Sequence, residues 1–129
     1  MFLDRLNAKQ QGALLGLATQ LIEADGNISQ EETLLLNALR VQMAANVSPL
    51  SVSLNELPSL FQSNTSKGAF LLELLGIAHA DSEYHVSEKD FISKVAASLG
   101  ISDTTLADME SWVCRQFALT REAEQFLEA

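Results

Sequence analysis

Apolar residues recur along this chain at the spacing of a helix rather than a strand. Leu14, Leu17, Ala18, Leu21 and Ile22 form one stripe, and Leu34, Leu35, Ala38 and Leu39 form another. Phe91, Ile92, Val95, Ala96 and Leu99 form the cleanest. The run from Ala69 to Ala78 is apolar around most of its circumference, the mark of a helix covered on several sides. Nothing alternates with period two, so no strand is predicted. The pattern predicts helices near 4–25, 29–45, 54–62, 66–81, 87–99, 103–117 and 120–128.

Local chemistry sets the predicted boundaries. Ser29 followed by Glu32 is a capping box, in which hydroxyl and carboxylate each take an orphan backbone N–H. Ser87 with Asp90, and Ser53 with Glu56, repeat the pattern. Gly26 and Gly100 supply left-handed residues where helices should end. Ser102 or Asp103 opens the next helix and Thr120 a short last one. Residues 46–65 hold Pro49 and Pro58 and lack long periodicity, which marks a linker between two halves of one domain. The expected architecture is all-α: a single compact domain over residues 1–129 of about seven helices, with half-repeats at roughly 4–45 and 66–99 and C-terminal helices at 102–128.

The two halves share a motif. Leu21-Ile-Glu-Ala24-Asp25-Gly26-Asn27-Ile28-Ser29-Gln30-Glu31-Glu32 is an apolar helix ending in Ala-Asp, then a turn, a β-branched residue, a serine and an acidic first turn. Ile77-Ala-His79-Ala80-Asp81-Ser82-Glu83-Tyr84-His85-Val86-Ser87-Glu88-Lys89-Asp90 repeats that order. Pairing the serines makes the second turn two residues longer. Duplication of a helix–acidic turn–helix unit explains both copies.

The stretch Ala24-Asp25-Gly26-Asn27-Ile28-Ser29-Gln30-Glu31-Glu32 resembles the signature of the tellurite-resistance TerB family. Ala80-Asp81 through Ser87-Glu88, followed by Ala96-Ala97-Ser98-Leu99-Gly100-Ile101-Ser102, resembles its second half, and the resemblance extends from about Gln10 to Phe117. Ser82 stands where the family usually has glycine, and His85 and Asp90 also depart from its pattern. The resemblance implies a fold of about seven helices and roles in tellurite and related stress responses or in modules attached to co-chaperones. It also implies divalent-cation binding by acidic residues of these turns.

Composition narrows the functions. A 129-residue chain with 47% hydrophobic residues can bury a core without disulfides or a structural metal. Seventeen acidic against eight basic residues give a net charge of −9, which repels nucleic acid and anionic lipid and favours cations or basic protein surfaces. Homo-oligomerisation stays open. A single cysteine, Cys114, reads as a small core or boundary residue and fits a reducing compartment. The apolar run at 69–78 is too short for a membrane span, which needs about 20 residues, and the amino-terminal residues carry charges where a signal peptide is apolar. A cytoplasmic location is expected.

The acidic turns are the candidate site. Glu31, Glu32, Glu88 and Asp90 fall in first turns of helices, where the dipole favours carboxylates by about 0.3–1 kcal/mol each, so capping and solubility account for them. Asp25 and Asp81 end helices, where the same dipole disfavours them, and an Asx-type turn accounts for this as well as a bound cation does. With Gly26 at position six of an EF-hand loop, Asp25, Ser29 and Glu32 take five, nine and twelve, but Leu21 falls at position one, and the second copy lacks the glycine altogether. Neither turn is an EF-hand. Convergent carboxylates from Asp25, Glu31, Glu32, Asp81, Glu83 and Glu88 could still hold a divalent cation, Ca²⁺ foremost; no cofactor is required. His79 and Asp81, two apart on a helix, point away from each other, and with Cys114 far along the chain no zinc cluster is predicted. No nucleophile elbow, phosphate loop or zinc-protease motif is present, so no enzyme is predicted. Trp112, Phe117 and Phe126 read as core residues, or as a docking surface if exposed.

Overall fold

The computed structural model describes residues 2–23, 30–43, 46–80, 84 and 86–128. Among these there are six α-helices and no strand: α1 (Ala8–Glu23), α2 (Gln30–Gln42), α3 (Leu57–Leu60), α4 (Asn64–Ala78), α5 (Val86–Ser98) and α6 (Asp103–Leu127). Two 3₁₀ turns, Leu3–Arg5 and Leu54–Glu56, precede α1 and α3.

The all-α expectation holds, with six helices in place of seven. The predicted first helix divides because Asn7 starts a new one. Its Oδ1 accepts from the Gln10 backbone N–H at 2.8 Å, and the Gln10 side chain accepts from the Asn7 N–H at 2.9 Å, a reciprocal cap. The predicted last two helices are one. Thr120 does not cap anything; its hydroxyl donates to the Gln116 carbonyl one turn earlier, at 2.9 Å, inside a continuous α6.

Several boundaries fall where side-chain chemistry sets them. Ser53 and Glu56 form a capping box. Pro58 is accommodated because the 3₁₀ turn ends at Glu56 and α3 begins at Leu57, which puts the proline in a first turn where no N–H is needed. Ser63 Oγ accepts from the Ser66 N–H, and Ser102 Oγ from the Thr105 N–H. At the end of α5 the chain turns through Gly100 at φ +74°, with Ile101 N–H donating to Ala96 O and Gly100 N–H to Ala97 O. That is a Schellman motif, closed by a residue with no Cβ. The expected glycine at position 26 lies outside the described residues.

Helix α4 is the centre. It packs on α1, α2, α5, α6 and the Leu3–Arg5 turn, and so most of its circumference is apolar. Phe61 and Phe70, both fully buried, meet as a closely packed tilted pair with ring centroids 4.3 Å apart and planes inclined at 42°. The segment before α3 lies across α1. Leu50 N–H donates to the Gly12 carbonyl at 2.9 Å, and Gly12 and Gly16 leave room for the Ser48–Leu50 backbone. Helix α2 is less covered than its stripe predicts: Leu39 is buried, but Leu34 is 60% exposed.

The helix bounds recur at a fixed distance. Helices α2 and α5 end at 42 and 98, an offset of 56. Helices α1 and α4 begin at 8 and 64, the same offset. Buried Leu14 and Phe70, Leu21 and Ile77, and Leu39 and Val95 share it. This offset differs by two from the one read by pairing the serines. Ser87 stands 56 residues after Glu31, not after Ser29.

Candidate functional site

Three of the six candidate carboxylates lie among the described residues. Glu31 is exposed in the first turn of α2. Glu32 and Glu88 are buried, only 3% and 1% exposed. Asp25, Asp81 and Glu83 lie outside the described residues. Burial corrects the expectation for Glu32 and Glu88: a side chain kept from water does not serve solubility, and a carboxylate is sequestered only with compensating partners. Each is the seventh residue after an Ala-Asp aspartate, Glu32 after Asp25 and Glu88 after Asp81. Asp90, paired with Ser87 in the sequence reading, is exposed.

A second group gathers beside Glu88, and sequence reasoning missed it. His79 is the C-cap of α4, its backbone N–H donating to the Leu75 carbonyl at 3.0 Å. Its ring stacks obliquely on Tyr84, with centroids 4.2 Å apart. From α6, Glu110 and Cys114 reach the two ring nitrogens, one each. Glu110 Oε1 lies 3.5 Å from Nε2, and Cys114 Sγ lies 3.8 Å from Nδ1. Nε2 is buried, within ion-pair reach of Glu110 but without a geometrically satisfactory hydrogen bond. The Tyr84 hydroxyl donates to Glu110. Burial, this hydrogen bond and the negative charges of Glu110 and Glu88 push the phenol far above its ordinary range, so it remains a neutral donor.

Cys114 is exposed, not the core or boundary residue its apolar neighbours implied, and it is not remote from His79. One signal for the pairing existed: Glu110 and Cys114 are four apart on one helix and share a face. Which helix end that face would meet is a matter of tertiary packing. Among the described residues, no group of three or more His, Cys, Asp and Glu side chains is arranged to hold a metal ion.

An apolar cavity lies elsewhere. About 250 Å³ in volume, it is bounded by Leu35, Leu39, Leu72, Ile77, Trp112 and Phe117 between α2, α4 and α6. Phe2 closes one side, its ring 5.9 Å from Trp112 and its N–H donating to Glu73 Oε1 at 2.6 Å. The described candidate carboxylates, Glu31, Glu32 and Glu88, do not line this cavity. Trp112 and Phe117 are half-buried around it, whereas Phe126 is 83% exposed, so the aromatic residues of α6 do not form one core stripe. No helix among the described residues is long and apolar enough to cross a membrane.

The described residues form a helical bundle without a strand, and that is the structural class. Residues 54–111 match the family model of tellurite resistance protein TerB, and the chain is TerB-like through that segment. The match takes in α4, α5, the second acidic turn and Glu110, and stops short of Cys114. It is narrower than the resemblance read from the sequence, since it omits Asp25, Glu31 and Glu32. No curated protein and no solved structure matches the chain.

Proposed function

We propose that this chain is a non-enzymatic TerB-like binding module, connected with tellurite or related stress, that takes a divalent cation or a basic protein surface at its two Ala-Asp turns. Asp25, Glu31, Glu32, Asp81, Glu83 and Glu88 are the proposed ligands and Ca²⁺ the preferred ion. The observation that carries this reading is the burial of Glu32 and Glu88, 56 residues apart. Hard cations take six to eight oxygens, so a site of this kind draws on more than one carboxylate. The shared offset also supports descent of the halves from one duplicated unit.

A second reading has its own observation. Glu32 and Glu88 fall in the first turns of their helices, where Glu56 closes a capping box with Ser53 in its own. Under this reading the glutamates hold backbone N–H groups of the turns, and the module is a structural adaptor with no metal.

Thermal melting separates the two. Chelator-treated protein is melted with and without millimolar Ca²⁺, Mg²⁺, Mn²⁺ or Zn²⁺. A cation at 100 times its Kd stabilises by about 2.7 kcal/mol, a rise of several degrees in Tm. A selective rise for Ca²⁺, lost in the Asp25→Asn/Asp81→Asn double variant with its helical CD intact, upholds cation binding. No rise with any cation leaves the capping role.

A further inference from the structure

We propose that His79 and Cys114 form a second metal site, separate from the acidic turns in its chemistry, for a thiophilic d¹⁰ ion of the Zn²⁺ class. The donors are an imidazole nitrogen and a thiol sulfur, both softer than the carboxylates of the turns, and softness sorts metals. Their spacing fits one ion. With a metal–nitrogen bond of about 2.0–2.1 Å and a metal–sulfur bond of about 2.3 Å at a tetrahedral angle, the two donors stand about 3.6 Å apart. The observed Nδ1–Sγ separation is 3.8 Å.

The surroundings support the same assignment. A metal-bound histidine directs its other nitrogen to a carboxylate, which fixes the tautomer and strengthens the donor. Nε2 of His79 is buried and faces Glu110 at 3.5 Å, and Glu110 in turn accepts from the Tyr84 hydroxyl. The ring is also held by Tyr84 on one face and sits on a helix cap, so its orientation is set before any ion arrives. Cys114 is exposed, which provides a path for the ion and leaves the remaining coordination positions to solvent. Two protein donors, rather than the three or four of a closed structural site, define an exchangeable ion and not a folding staple. Binding displaces the thiol proton to solvent, and the ion bridges Sγ and Nδ1.

The test is titration of the full, reduced chain with Co²⁺, followed by the near-ultraviolet thiolate-to-cobalt charge-transfer band. The expected result is a band saturating at one Co²⁺ per chain, discharged by an equivalent of Zn²⁺ and untouched by excess Ca²⁺. It is absent in Cys114→Ser, and weakened or absent in His79→Gln. No band in the native chain overturns the proposal, as does a band of unchanged affinity in a folded His79→Gln variant. Should His79→Gln fail to fold by CD, Cys114→Ser at its exposed position and the Ca²⁺ competition in the native chain still decide.

Discussion

Gly16 lies directly beneath the Leu50 backbone, so close that a methyl group on Gly16 would overlap the Leu50 carbonyl. Helix interiors ordinarily gain about 0.5–1 kcal/mol when glycine becomes alanine. Here the obstacle is main chain, which cannot rotate away as a side-chain tip can. Gly16→Ala should therefore lower stability by about 1–3 kcal/mol, the usual cost of overpacking. Gly68→Ala on α4, where nothing stands within 4 Å of the added carbon, should raise it slightly. Urea unfolding of the two variants checks the opposite signs, and a stabilised Gly16→Ala would contradict the close approach.

The Tyr84 phenol makes stability depend on pH at the alkaline end. Its folded pKa is raised above the ordinary value of 10.0, first by burial and then by its hydrogen bond to Glu110 and the charges around it. The folded state thus binds the proton more tightly than the unfolded state does. The resulting stabilisation is complete below pH 10 and is lost as pH climbs above it. Tyr84 is the one tyrosine, so phenolate absorbance reports it alone. That absorbance should stay low in the folded chain past pH 10 and rise only as the chain unfolds. Tyr84→Phe should abolish the alkaline loss of stability that this group contributes.

The two ends of the aromatic burial range should respond very differently to truncation. Phe70 is fully buried at the centre of α4, and Phe70→Ala should cost about 3–5 kcal/mol. Phe126 is exposed, and Phe126→Ala should stay within about 0.5 kcal/mol of the parent. Denaturant midpoints of both variants give the comparison.

The exposure of Cys114 has a direct chemical readout. In native buffer with chelator present, a disulfide reagent should titrate one thiol per chain without denaturant. Titration only after unfolding would place Cys114 inside the fold.

Much of the architecture was legible because helix chemistry is local. The Ser53–Glu56 box, the Ser102 cap and the left-handed turn at Gly100 each follow from a few adjacent residues. The errors arose where the same local signals compete with something longer in range. Thr120 reads as a cap, yet its hydroxyl bonds backward and α6 continues through it. Asn7 with Gln10 forms a cap that the continuing apolar pattern concealed. The site was less legible than the fold. Glu32 and Glu88 resemble ordinary first-turn carboxylates, and only the packing of neighbouring helices shows that they are buried. His79 and Cys114 are 35 residues apart on different helices, and no periodicity within one helix predicts that α4 will end against α6.

Helix α6 continues past the body of the protein, and every residue from Ala118 to Glu128 is exposed. A free peptide of that length is a marginal helix in water, because its first turn must form unaided. Joined to the packed turns before Phe117, the segment inherits a nucleus and needs only to propagate. Its helicity is therefore borrowed, and it should melt by fraying from the C-terminal end, ahead of and independently of the cooperative unfolding of the core. One continuous helix thus spans two stability regimes, with amide protons protected by the whole fold at its start and by little more than the next hydrogen bond at its end.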